Sequence, residues 1–133
     1  MNSDNFLLDT SALLAYIEEE PGADRVEEIL NQERVLLPWA VLMEVFYMTV
    51  RESGFHEAET RYAMIRQSSA KILWEMNEAL LMRAAKLKGQ NRLSFADAVI
   101  AAYAIQNNAI LVHKDPEYEA LAGIFEMEIL PYK

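Results

Sequence analysis

Four acidic residues stand out by their neighbours: Asp9, Glu44, Asp97 and Asp115. Asp9 ends the apolar run Phe6-Leu7-Leu8 and is followed by Thr10-Ser11 and then by apolar residues at helical spacing. A short apolar run bounded by polar residues reads as a buried strand, and Asp, Thr and Ser are good helix N-caps. The strand therefore delivers its carboxylate to a C-terminal edge, where open parallel sheets bind ligands. Glu44 sits among Val41, Val45 and Met48 on the apolar face of a helix predicted over 39–51. A charge there costs free energy unless it is paired or metal-bound. Asp97 closes Ser94-Phe95-Ala96-Asp97, which has the form of a capping box, ahead of a helix that is apolar nearly all round. Asp115 follows an apolar strand over 109–112 and precedes Pro116, the standard opening of a helix.

Singly, each acid has a plainer role. Asp9, Asp97 and Asp115 are placed to cap helices, and Glu44 stands at a stripe's edge where it reaches solvent or meets an arginine. Together they share more than caps require. Asp9 and Asp115 each follow a strand directly, so a parallel sheet puts both at one edge, and the helix of Asp97 has to enter from that side. Four carboxylates in one place repel and raise one another's pKa unless a cation neutralises them. Helix N-termini at Ser11, Ser94 and Pro116 supply only about half a charge each. With no cysteine and two histidines in the chain, all-oxygen ligation points to Mg²⁺ or Mn²⁺ rather than zinc. Such ions deprotonate and orient a water and offset the charge that builds during phosphodiester displacement.

The elements that position these acids alternate. Helices are predicted over 11–18 and 23–32, separated by Pro21-Gly22, and a strand over 35–37 is closed by Pro38. Helices over 39–51 and 55–69 flank Gly54, a strand follows over 72–74, and a helix over 77–87 ends at Lys86, Lys88 and Gly89, a stop signature. After the turn at Asn107-Asn108 and the strand over 109–112, residues 125–129 alternate apolar and acidic, as a half-exposed edge strand does. Short apolar strands between helices predict an α/β fold with a mainly parallel sheet, in a single domain over 1–133.

Composition sets limits on partners. The net charge is −9, the wrong sign for binding nucleic acid by broad electrostatics, so such a partner needs bound cations or a local basic patch. The densest basic stretch is Arg83, Lys86, Lys88 and Arg92, read either as a phosphate contact or as solvated helix-end charge. No apolar run is long enough to span a membrane and no signal-peptide pattern opens the chain, which predicts a cytoplasmic protein with no membrane partner.

On these residues the chain resembles the PIN-domain family, and within it the VapC-type toxin ribonucleases of toxin–antitoxin pairs. The carriers are Leu7-Leu8-Asp9-Thr10-Ser11-Ala12-Leu13-Leu14, Glu44 in its apolar helix, Leu93-Ser94-Phe95-Ala96-Asp97-Ala98, and the stretch from Leu111 to Tyr118. The resemblance implies a three-layer α/β/α sandwich, homodimers, Mg²⁺ or Mn²⁺, endonucleolytic cleavage of RNA and a small antitoxin laid across the active site. It implies Asp9, Glu44, Asp97 and Asp115 as the acidic catalytic and metal site, with Ser11 as the hydroxyl that supports the first acid. One departure is His113, which stands where the family commonly carries a threonine or serine that helps hold the site. His113 is read as a supporting residue, with metal ligation as the alternative. Two other functions compete: a PIN-like domain that binds metal without turnover, and an acidic receiver-type signalling domain. The receiver needs a phospho-accepting Asp at the end of a mid-chain strand, and the region of Ser53-Gly54 offers none. A phosphatase forming an aspartyl phosphate wants a second acid two residues after the first, where Ser11 stands.

Overall fold

The central strands are short apolar runs, and with two less buried edge strands they form one five-stranded sheet. The computed structural model describes residues 4–132. Its strands are β1 (Asn5–Leu8), β2 (Arg34–Pro38), β3 (Lys71–Leu73), β4 (Ile110–His113) and β5 (Met127–Ile129). Every pairing is parallel and the order is β3-β2-β1-β4-β5. The helices are α1 (Thr10–Ile17), α2 (Ala23–Gln32), α3 (Trp39–Ser53), α4 (Phe55–Gln67), α5 (Glu78–Gln90) and α6 (Phe95–Gln106), with a short 3₁₀ helix at Pro116–Leu121.

Successive residues of a strand face opposite sides of the sheet. Leu7 and Leu8 of β1 and Leu111 and Val112 of β4 are all fully buried, so helices cover both faces. The result is a three-layer α/β/α sandwich, and the sheet is parallel throughout rather than mainly so. Covered on both sides, its central strands need continuous apolar runs.

The topology places two strand ends together. Leu8 pairs with Val112 in register, and the Asp9 N–H donates to the Val112 carbonyl at 3.1 Å. The residues that follow β1 and β4 therefore emerge side by side. The strand order also excludes the receiver reading, because receiver domains are wound 2-1-3-4-5.

Several local expectations shift. α1 starts at Thr10, because Asp9 is its N-cap, accepting from Ala12 N–H. α5 runs through Gly89 to Gln90 instead of stopping near 87. Side chains close that end in place of a left-handed glycine: Asn91 Nδ2 donates to the Leu87 carbonyl at 3.0 Å and Lys88 Nζ to the Leu93 carbonyl at 2.8 Å. The last strand is only Met127–Ile129, at the edge beside β4 as its alternation predicts. α6, apolar nearly all round, is buried from Asp97 through Ala104 and packs on α5, α3 and β4. Among the described residues no helix is long and apolar enough to cross a membrane.

Candidate active site

Asp9 caps α1 and also faces the cleft at the sheet's C-terminal edge. Its Oδ1 accepts from Ala12 N–H at 2.8 Å, and Ser11 Oγ lies 2.7 and 2.9 Å from its two oxygens. Ser11 Oγ in turn accepts from Lys114 N–H at 3.0 Å, which ties the chain after β4 to the first acid. Burial pushes the Asp9 carboxyl up to about 7, against the lowering by these hydrogen bonds, and the Asp115 and Glu44 charges add to the rise.

Glu44 projects from α3 and meets neither an arginine nor open solvent alone. Thr10 Oγ1 donates to its Oε1 at 2.5 Å, and Tyr47 Oη lies 3.4 Å from Oε2. The hydroxyl of Thr10, beside Asp9, thus holds an acid 34 residues away.

Asp97 occupies a capping box of which only half is its own. Ser94 Oγ accepts from Asp97 N–H at 3.1 Å, as in such a box, but Ser94 N–H donates to Glu117 Oε1 at 3.2 Å. The carboxylate that a box would turn back on its cap is instead held by Tyr118, whose hydroxyl donates to Asp97 Oδ1 at 3.0 Å. Burial first, then the Glu117 hydrogen bond and the nearby Asp115 and Asp9 charges push Asp97 up to about 8, opposed by Tyr118.

Asp115 caps the 3₁₀ helix, with Oδ1 accepting from Glu117 N–H at 2.9 Å. It also belongs to a cluster: Asp97, Asp115 and Glu117 each offer a carboxylate oxygen within 4.8 Å of the others. His113 is fully buried and lines no part of the cleft. Its Nδ1 accepts from Asp115 N–H at 3.1 Å, and its ring lies 4.7 Å from that of Tyr118. Burial lowers its pKa and keeps it neutral.

One open cleft of about 510 Å³ gathers Asp9, Glu44, Asp97, Asp115 and Glu117, with Glu18, Glu20 and Glu52 along its wall. Lys114 is the one cation among its described lining residues, and its ammonium is directed to the Pro21 carbonyl at 3.0 Å and to Glu20. The residues fit a divalent cation. Asp9 is 2% and Asp97 8% exposed, both are held toward the neutral form, and every donor is a hard oxygen. The basic residues Arg83, Lys86, Lys88 and Arg92 are exposed and line no part of this cleft. An apolar groove adjoins it, sharing Glu44 and Ser94 and lined by Trp39, Met43, Tyr47 and Phe95.

Three participants were not read from the sequence. Glu117 follows Asp115 by two residues in the same turn, a signal that was present. Thr10 and Tyr118 look like ordinary helix residues until their partners come into range.

Comparison with known proteins extends these observations. The family model described as PIN domain matches residues 6–124. The ribonuclease VapC11 of Mycobacterium tuberculosis is 25% identical over 138 residues, covering 96% of this chain and 98% of the relative. Among solved structures, the VapBC2 complex of Rickettsia felis, bound to a DNA fragment from its promoter, superposes with a TM-score of 0.76 at 17% identity, over 96% of this chain and 99% of the other. VapC20 of M. tuberculosis, described as a sarcin-ricin loop cleaving toxin, gives 0.72 at 21% identity, over 95% and 99%.

Proposed function

The chain belongs to the PIN-domain family, and on that premise we propose that it is a metal-dependent endoribonuclease and the toxin of a type II toxin–antitoxin pair. We read residues 1–133 as a single such domain. The observation that carries the proposal is the convergence of Asp9, Glu44, Asp97 and Asp115, from four separate segments, on one cleft. Relatives named as VapC ribonucleases support RNA as the substrate. Solved VapBC complexes of the same fold support a small antitoxin as partner. The exposed apolar groove of Met43 and Phe95 beside the cleft supports a homodimer. An RNA substrate fits action in the cytoplasm.

In this mechanism Asp9, Glu44, Asp97 and Asp115 would hold Mg²⁺ or Mn²⁺, and such an ion would supply an activated water and charge to offset that on a phosphate undergoing displacement. The chain's own part is orientation. Ser11 and the Ala12 N–H fix Asp9, Thr10 fixes Glu44 and Tyr118 fixes Asp97, so the carboxylates converge before substrate arrives. The same acids repel a polyanion, and bound divalent cations would lessen that repulsion at the cleft.

The test pairs unfolding with cleavage. With millimolar Mn²⁺ the wild type gains stability, by roughly 2.7 kcal/mol at a hundred times the dissociation constant, while Asp97→Asn gains much less. Only the wild type with metal cuts RNA, assayed on total cellular RNA so that a selective enzyme still meets its target. If Mn²⁺ changes neither unfolding nor RNA, the four acids are not one metal centre and the proposal fails.

A further inference from the structure

His113 and Tyr118 are both fully buried, and neither lines the acid cleft. Each nevertheless touches one of its acids. The rings lie 4.7 Å apart, tilted by 57°. From this pair, His113 Nδ1 accepts the Asp115 N–H, and the Tyr118 hydroxyl donates to Asp97 Oδ1.

We propose that His113 and Tyr118 act as one positioning unit that sets Asp115 and Asp97 at a fixed separation. The inference rests on the reading of these acids as a metal centre. Asp97 stands on α6 and Asp115 follows β4, and apart from their shared neighbour Glu117 this pair is what joins them. The imidazole does what an Asn or Asp side chain does in an Asx-turn, accepting the N–H two residues ahead and so fixing the turn. An acceptor at Nδ1 puts the ring proton on Nε2, and Nε2 is buried with no partner. An apolar residue would avoid that orphaned donor but would leave the Asp115 N–H without its acceptor. Tyr118 and Glu117 are the partners of the Asp97 carboxyl, and of the two only Tyr118 is packed in the interior, so the rotation of Asp97 depends on where the Tyr118 ring sits. That ring is packed against His113. One packed pair of rings therefore governs the mouth of α6 and the end of β4 together.

Three variants separate the parts: His113→Phe keeps a ring on Tyr118 but removes the acceptor, His113→Asn keeps an acceptor for Asp115 N–H without the ring, and Tyr118→Phe removes one oxygen. Manganese dissociation constants, amide hydrogen exchange at Asp115 in the metal-free protein, and kcat and KM for RNA are the readouts. His113→Phe and Tyr118→Phe should weaken Mn²⁺ binding by roughly tenfold to a hundredfold and lower kcat with little change in KM, whereas His113→Asn stays within about threefold of wild type. The Asp115 amide should exchange faster in His113→Phe and remain protected in His113→Asn. Wild-type Mn²⁺ affinity in both Phe variants overturns the inference, as does an unprotected Asp115 amide in the wild type or a His113→Asn as weak as His113→Phe. Should His113→Phe not fold, Tyr118→Phe decides the Asp97 half, and exchange in the wild type and His113→Asn decides the Asp115 half. A wild type that binds no Mn²⁺ and cuts no RNA defeats the nuclease reading instead, while Asp115 exchange still reports on His113.

Discussion

Ser94 N–H donates to Glu117 across a separation of 23 residues, so the residue that caps α6 is itself held by the turn after β4. Asp97, three residues after Ser94, is thereby freed from the back-bond that its sequence context predicts and faces Tyr118, Asp115 and Asp9.

The first prediction tests that exchange. Glu117→Gln keeps an acceptor for Ser94 N–H and removes a charge beside Asp97. Metal-free stability should change by no more than about 0.5 kcal/mol, and Mn²⁺ binding should weaken less than in Asp97→Asn. Isothermal titration of both variants with Mn²⁺ checks the order, and a Glu117→Gln loss as large as that of Asp97→Asn would make Glu117 an equal ligand.

Without metal, stability should fall as pH rises. Asp9 and Asp97 ionise at about 7 and about 8 in the folded protein, above the 3.8 of an unperturbed aspartate. Between these limits the native state holds protons that the unfolded chain has lost, so the stabilisation is full at low pH and disappears through pH 7–8. At its steepest each such proton is worth about 1.4 kcal/mol per pH unit. Denaturant melts of the metal-free protein at pH 5, 6.5 and 8 measure this slope. Saturating Mn²⁺ should oppose it, because metal displaces the same protons and binds more tightly as pH rises.

Thr10→Val is nearly isosteric and removes the hydroxyl that holds Glu44. It should cost about 1 kcal/mol of stability, as a lost hydrogen bond does, and lower kcat because Glu44 is no longer oriented. A variant with normal kcat would show that Glu44 needs no anchor.

Met43 is 61% and Phe95 71% exposed along the apolar groove. If a second copy covers them, Met43→Arg should shift the protein from dimer to monomer in sedimentation at micromolar concentration, with an unchanged melting profile at the level of the monomer fold. A wild type that sediments as a monomer would remove the homodimer from the proposal.

Much of the site was legible because strands and caps are local. Phe6-Leu7-Leu8 before Asp9 announces a buried strand and its end, and the run before Asp115 announces another. Parallel pairing then makes neighbours of the two acids, which is a property of topology and requires no side-chain detail. The anomaly of Glu44 was legible as a charge among Val41, Val45 and Met48, but its partner was not. Thr10 lies 34 residues away and reaches it only after α1 and α3 have packed. Tyr118 and Asp97 pair across 21 residues for the same reason. The capping box misled in part: Ser94-Phe95-Ala96-Asp97 does cap with its serine, but the Ser94 N–H that the box would give to Asp97 goes to Glu117, 23 residues away. The stop at Gly89 failed because glycine permits a helix to end without requiring it, and Asn91 and Lys88 were available to close it one residue later.

The hydroxyl of Ser11 has a consequence for how the cleft fails. It accepts from the N–H of Lys114 and donates a hydrogen bond to Asp9, so a single oxygen spans the two central strand ends. Any movement that lifts the segment after β4 withdraws support from the acid after β1 at the same moment. Damage to one rim of the cleft is thus felt on the other, and Asp9 and the segment that carries Asp115 lose their common support together.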